Sequence, residues 1–134
     1  MADSLDRLRA VNRTRNTILV SDGKIAASWW SRLRGLLGHP ALQAGEGLLL
    51  RGEKAIHTIG MSFAIDVLFL DRGGLVVHLI PAMGPLRASP YVGRATDVLE
   101  MPAGAIENTD THLGDRIELI VGQSTESSTS SQSE

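Results

Sequence analysis

The chain of 134 residues contains no cysteine, which excludes disulfides, zinc-thiolate centres, iron-sulfur ligation and thiol catalysis together. Any chemistry must rest on oxygen and nitrogen. Aromatic residues are nearly absent: Trp29, Trp30, Phe63, Phe69 and Tyr91 are the whole inventory. The core is therefore aliphatic, and the stacking platforms of a single-stranded nucleic-acid module are scarce. Lysine occurs only at Lys24 and Lys54. Arg7, Arg9, Arg13, Arg15, Lys24, Arg32 and Arg34 give the first quarter a basic excess within a net charge of -2, but they form no consecutive block. That excess reads as a solvated face, and no nucleic-acid partner is expected. Long apolar runs are missing as well. Residues 73–86 carry no charge, yet they are too short to cross about 30 Å of hydrocarbon as a helix and contain Pro81 and Pro85. The N-terminus lacks the apolar stretch of a secretory signal. A cytoplasmic protein without a membrane span is the expectation.

What is present points to one globular domain. A hydrophobic content of 43% in a chain of this length suits a single core. Residues 1–13 read as a polar leader in which Leu5, Leu8 and Val11 make at most one weak amphipathic turn. Residues 14–122 form the body. Residues 123–134, all Ser, Thr, Gln and Glu, read as a disordered tail because they bury too little to offset the entropy of ordering.

Within the body, residues 16–20 and 24–27 flank Ser21-Asp22-Gly23 and resemble a hairpin turning at Asp-Gly. Ser28 is placed to cap a short helix over residues 29–37, with Gly38 as its stop and Pro40 beyond. Further strand candidates lie at 47–50, 55–59, 65–70, 75–80, 95–101 and 116–121, each bounded by Gly, Pro or charged turns. The clearest hairpin spans 65–80 around Asp71-Arg72-Gly73-Gly74. The fold class that follows is mainly β: a compact antiparallel β sandwich or jelly-roll-like barrel of about seven or eight short strands with one short helix.

The stretch that invites a functional question is residues 56–71, where Asp66 interrupts an apolar strand. A buried carboxylate is costly unless it is hydrogen-bonded or paired. It either pins the structure, by accepting backbone N–H groups around residues 60–64 or pairing with an Arg, or it faces a cleft. His57, His78, Arg87 and Glu100 are its candidate partners. Strand register decides whether His78 qualifies: pairing Leu70 with Leu75 puts the two on opposite faces, and one extra loop residue reunites them. His57 and Thr58 point to opposite sides of any regular strand, so a Thr-His nucleophile pair is not expected. Glu100 shares a face with Val98 and need not be buried.

Four ordered motifs resemble the uncharacterised domain-of-unknown-function one-nine-two family. They are Arg34-Gly35-Leu36-Leu37-Gly38; Ile56-His57-Thr58-Ile59-Gly60-Met61 leading to Ile65-Asp66-Val67-Leu68-Phe69-Leu70-Asp71; Val98-Leu99-Glu100-Met101-Pro102-Ala103-Gly104; and Leu113-Gly114-Asp115. The resemblance covers nearly all of the body. It implies a prokaryotic, mainly β domain with a short helix and no established reaction, and it marks His57, Thr58, Met61, Asp66 and Glu100 as recurrent positions. Arg87 after Pro85 matches a recurrent Pro-x-Arg element. The chain departs from the pattern by lacking a cysteine before Ile56 and by carrying Ala64 where proline is common.

The ligand-binding candidates are thus His57, Thr58, Met61, Asp66, Arg87, Tyr91 and Glu100, with no catalytic residue, metal or cofactor assigned. Histidines 39, 57, 78 and 112 show no metal-ligand spacing, and no glycine-rich phosphate loop precedes a helix. The leading reading is a non-catalytic binding module for a small polar ligand or peptide. Its partner is otherwise unknown. The alternatives are a carboxylate- or metal-dependent hydrolase using Asp66 and Glu100, for which His57 would be the third metal ligand, and a purely structural or protein-interaction domain. The loop of residues 81–91 joins three prolines to Met83, Arg87 and Tyr91, a stiff segment that loses little entropy on binding.

Overall fold

The computed structural model describes residues 6–26 and 42–122. Seven strands occupy them: β1 (Arg7–Asn12), β2 (Thr17–Ala26), β3 (Glu46–Arg51), β4 (Ile65–Leu70), β5 (Val76–Met83), β6 (Asp97–Pro102) and β7 (Ile117–Gly122), with a one-turn helix α1 (Ala105–Asn108) before β7. They form one sheet in the order β5-β4-β6-β3-β2-β1-β7. The two end strands meet where Leu75 bridges Arg116, with Val76 N–H donating to the Asp115 carbonyl and Ile117 N–H to that of Gly74. The sheet therefore curls toward a barrel, closed along one short seam.

The mainly β class holds, with two departures from the expected pattern. The sheet is mixed, because β2 and β3 run parallel, a pairing that needs a crossover rather than a tight turn. Residues 7–12, expected in the leader, form β1 between β2 and β7. Leu8, Ala10 and Val11 are buried there, so the spacing of apolar residues served a bulged strand and not a helical turn. The expected helix at 29–37 and the tail at 123–134 lie outside the described residues.

The hairpin expected at Asp22-Gly23 is absent: β2 runs straight through both residues. Gly23 is there for close approach. A Cβ on it would stand 2.7 Å from Val20 Cγ1 and about equally near the Leu8 and Gly47 carbonyls, at 3.1 and 3.2 Å. In this chain Asp-Gly marks a crowded crossing and a shift of register, since Leu8 pairs with Gly23 and Ala10 with Val20. The Asp71 turn forms as expected. Its carboxylate accepts the N–H groups of Gly73 and Leu75, both at 2.9 Å, and β4 pairs with β5 across it.

Both faces of the sheet are covered. Leu68, Leu70, Leu99, Met101 and Ile106 belong to one core, and Ile65, Val67, Phe69, Val98, Met61 and Met83 to the other. This explains why β4 is apolar at every position but Asp66: it is a central strand buried on both sides. Each large side chain so enclosed contributes roughly 1.5–3 kcal/mol.

Candidate functional site

Asp66 is 1% exposed, and its carboxylate is saturated by backbone. One oxygen accepts Ala82 N–H at 2.7 Å; the other accepts Ile106 N–H at 2.8 Å and Gly104 N–H at 3.1 Å. The aspartate ties three segments together, namely β4, the irregular end of β5 and the start of α1. With three backbone donors it acts as a structural pin, and none of those donors comes from the four expected side-chain partners.

Register explains why. Asp66 lies beside Met101 and Glu100 beside Val67 and Leu48. Met101 belongs to the first core, and Val67 and Leu48 to the second. The two carboxylates therefore point to opposite faces of the sheet, so no glycosidase-like pair and no shared metal can form between them. Glu100 was expected to tolerate exposure; it is 0% exposed, because β6 has a core on each side. His78 pairs with Phe69 and stacks against its ring, centroids 5.5 Å apart. That also places it opposite Asp66. Two bulges in β5, at either end of the pairing, set this register.

Among the described residues, the strand expected at 55–59 makes one ladder bridge, His57 with Ala88. The segment still runs beside the loop after β5: Ser89 N–H donates to the Ile56 carbonyl, Thr58 N–H to that of Arg87 and Val92 N–H to that of Lys54. Pro85 and Pro90 in that loop lack N–H donors and prevent a regular ladder. His57 and Thr58 diverge as expected. His57 is half-buried, with Nδ1 accepting the Ile59 N–H at 3.3 Å. Thr58 is fully buried; its hydroxyl donates to the Gly84 carbonyl at 2.7 Å and accepts Arg87 N–H at 2.8 Å. Met61 faces the second core. Arg87 is exposed, as is Tyr91 at 74%.

Two of the buried polar residues, Asp66 and Thr58, thus converge on one segment. Ala82, held by Asp66, has φ of 51°, and Leu86, beside the Thr58 clamp, has φ of 58°. Neither residue type favours this left-handed backbone, which costs about 1–2 kcal/mol at each position. The strained segment rims a surface groove of about 400 Å³ lined by His78, Ile80, Ala82, Met83, Arg87 and Pro90 among others. Among the described residues, Arg87 and His78 are its only ionisable groups.

A second polar cluster was missed at the sequence level. Asp115, 3% exposed, accepts hydrogen bonds from Asn12 Nδ2 at 3.0 Å, Arg15 Nε at 3.0 Å and His112 N–H at 2.9 Å. Asn12 also reaches the Thr111 hydroxyl at 3.0 Å. Burial alone pushes the Asp115 carboxyl up, but Arg15, Asn12 and the His112 amide outweigh it and hold it below the ordinary carboxylate range. The Leu113-Gly114-Asp115 motif was the signal. Its role is structural, since the Asp115 carbonyl sits on the seam that closes the sheet.

Among the described residues no three His, Asp or Glu side chains are grouped to hold a metal ion, and no helix is long and apolar enough to cross a membrane. The fold and site define a small mixed-sheet domain whose buried polar residues brace its loops. A family model matches residues 10–119: the chain belongs to DUF192, described as an uncharacterized ACR. A UPF0127 protein from Thermococcus sibiricus is 32% identical over 112 residues, which cover 81% of this chain and 72% of that protein. A protein of unknown function from Novosphingobium aromaticivorans shares the fold with a TM-score of 0.68 at 17% identity, over 84% of this chain and 83% of the other. A Sinorhizobium meliloti protein described as a candidate transcription regulator does so with a TM-score of 0.67 at 21% identity, over 86% and 93%. At these identities the two structures speak for the fold alone.

Proposed function

We propose that the protein is a non-catalytic binding domain whose site is the groove between β5 and the loop of residues 84–90. One observation carries the reading: Asp66 and Thr58 both hold the strained segment of residues 82–87 that forms the groove's rim. Left-handed backbone at non-glycine residues persists only where its surroundings over-determine it, and it clusters at ligand sites. Of the ligand-binding candidates, Arg87 lines the groove; Thr58 holds its backbone, Asp66 holds that of Ala82 on the rim, and Tyr91 stands one residue beyond Pro90. The hydrolase reading loses its chemistry, because Asp66 and Glu100 do not share a face.

The test is native mass spectrometry of the protein as purified, joined to a thermal-shift screen against sugars, nucleotides and metabolites. Ala88 is exposed and lines the groove, so an Ala88→Trp variant fills the site without touching a core. Hits on the wild type that disappear in Ala88→Trp support the groove. Hits that survive the substitution, or a screen without hits, count against it.

A further inference from the structure

We infer that the groove takes a small organic anion: a carboxylate bound by Arg87 and His78, carried on a short apolar body lying over Ile80, Met83 and Pro90. This rests on the groove being the ligand site and adds the ligand's chemistry.

The chain is net acidic, and acidic residues predominate after residue 35. Yet among the described residues no carboxylate lines the groove, and its two ionisable groups are Arg87 and His78. Arg7, Arg13, Arg15 and Arg51 each have a carboxylate partner at 2.5–3.9 Å. Arg87, like Arg9, Arg72, Arg94 and Arg116, has no ion pair among the described residues; what sets it apart is that it lines the groove and that Thr58 fixes its backbone through both N–H and carbonyl. A guanidinium whose root is fixed and whose head is open favours a planar, two-oxygen acceptor. The His78 ring is held as well, by its contact with Phe69.

Size and edge geometry then select the body of the ligand. About 400 Å³ lies at the small end of ordinary small-molecule sites. An extended peptide would need a free strand edge. On β5, however, Pro81 lacks an N–H, and a bulge sits between Ile80 and Met83, two devices that prevent strand addition. The half-buried Ile80 and buried Met83 leave an apolar floor suited to a short alkyl chain.

The experiment is an amide NMR titration of the intact protein with hexanoate, beside acetate, inorganic phosphate, hexan-1-ol, hexylamine and an alternating Glu/Leu hexapeptide. The expected result is saturable movement of amides 78–90 with hexanoate, at least tenfold weaker response to acetate, phosphate and hexan-1-ol, and at least tenfold loss of hexanoate affinity in Arg87→Ala. Arg87→Lys should fall between. If hexan-1-ol or hexylamine matches hexanoate in the groove, the anion assignment is overturned while the groove reading stands. Tighter binding of the hexapeptide overturns the small-ligand assignment in favour of a partner protein. If no probe of any charge moves these amides, the groove reading itself fails.

Discussion

Replacing Asp66 with Asn is the most direct probe of the pin, because it keeps shape and volume while removing one acceptor oxygen. The carboxylate meets three N–H donors, one from Ala82 on its first oxygen and two from Gly104 and Ile106 on its second. An amide can satisfy one of these sets only. In its better orientation the amide oxygen keeps Gly104 and Ile106, and its NH2 faces the Ala82 N–H, leaving that donor unpaired beside new donors that lack acceptors. The side chain is 1% exposed, so water does not easily relieve the mismatch. An unsatisfied buried donor costs about 1–3 kcal/mol, and Ala82 also loses the restraint on its left-handed backbone. The expected destabilisation is about 3 kcal/mol, or a fall in Tm of roughly 10 °C for a domain of this size. Urea unfolding followed by circular dichroism measures the first. Amide hydrogen exchange locates it, with protection falling at Ala82 ahead of the core strands. A folded Asp66→Asn protein within about 0.5 kcal/mol of wild type would refute the pin.

Other perturbations test the remaining braces. Thr58→Val removes a hydroxyl that serves Gly84 and Arg87 and should cost about 2 kcal/mol, whereas Thr58→Ser should retain most of that and restore ligand binding; equal losses in urea unfolding would refute the clamp. Gly74 has φ of 86°, and an added Cβ would stand 2.3 Å from the Ile117 carbonyl oxygen across the seam, so Gly74→Ala should cost about 3 kcal/mol or more. Gly52, with φ of 80° and open space around it, should cost only about 1 kcal/mol on the same substitution. Asp115 titrates lower in the folded chain than unfolded. Its contribution to stability is therefore complete above the unfolded carboxyl value of about 4 and is lost as pH falls through the folded value. Urea midpoints across pH 2–6 should show a shallower acid loss in Asp115→Asn than in wild type.

The elements that local pattern decides were legible in the sequence. The β4-β5 hairpin follows from two apolar arms and a glycine turn, and β3, β6 and β7 were bounded to within a few residues by Pro102, Gly114 and their neighbours. What pattern could not decide was sidedness. Alternation identifies a solvent face only when one face is wet, and here both are cored, so Glu100 could not be ranked as buried or exposed from its neighbours. Asp22-Gly23 misled for a related reason: a glycine required by close approach looks the same in sequence as one required by a turn. Asp66 was recognisable as a pin or a site, and its donors were not, since Ala82, Gly104 and Ile106 lie 16, 38 and 40 residues away.

The same parity argument bears on function. A period of two assigns Asp66 and Glu100 to one face or to opposite faces according to their strands' register, and a single slipped residue reverses the answer. Here β4 and β6 pair without a shift, Asp66 beside Met101 and Val67 beside Glu100, so their separation onto two faces is fixed by an unbroken ladder of backbone bonds. On the two sides of β4 the slippage is confined to β5, whose bulges bracket residues 77–82. That distribution puts rigidity where the carboxylates are held apart and irregularity where the groove is. Removing the bulge at Ala82 would therefore regularise the edge of β5, take Ala82 off the Asp66 carboxylate and close the rim. A deletion of Ala82 should abolish hexanoate binding while leaving the β4-β6 ladder protected from exchange; loss of protection in that ladder instead would show that groove and core are one cooperative unit.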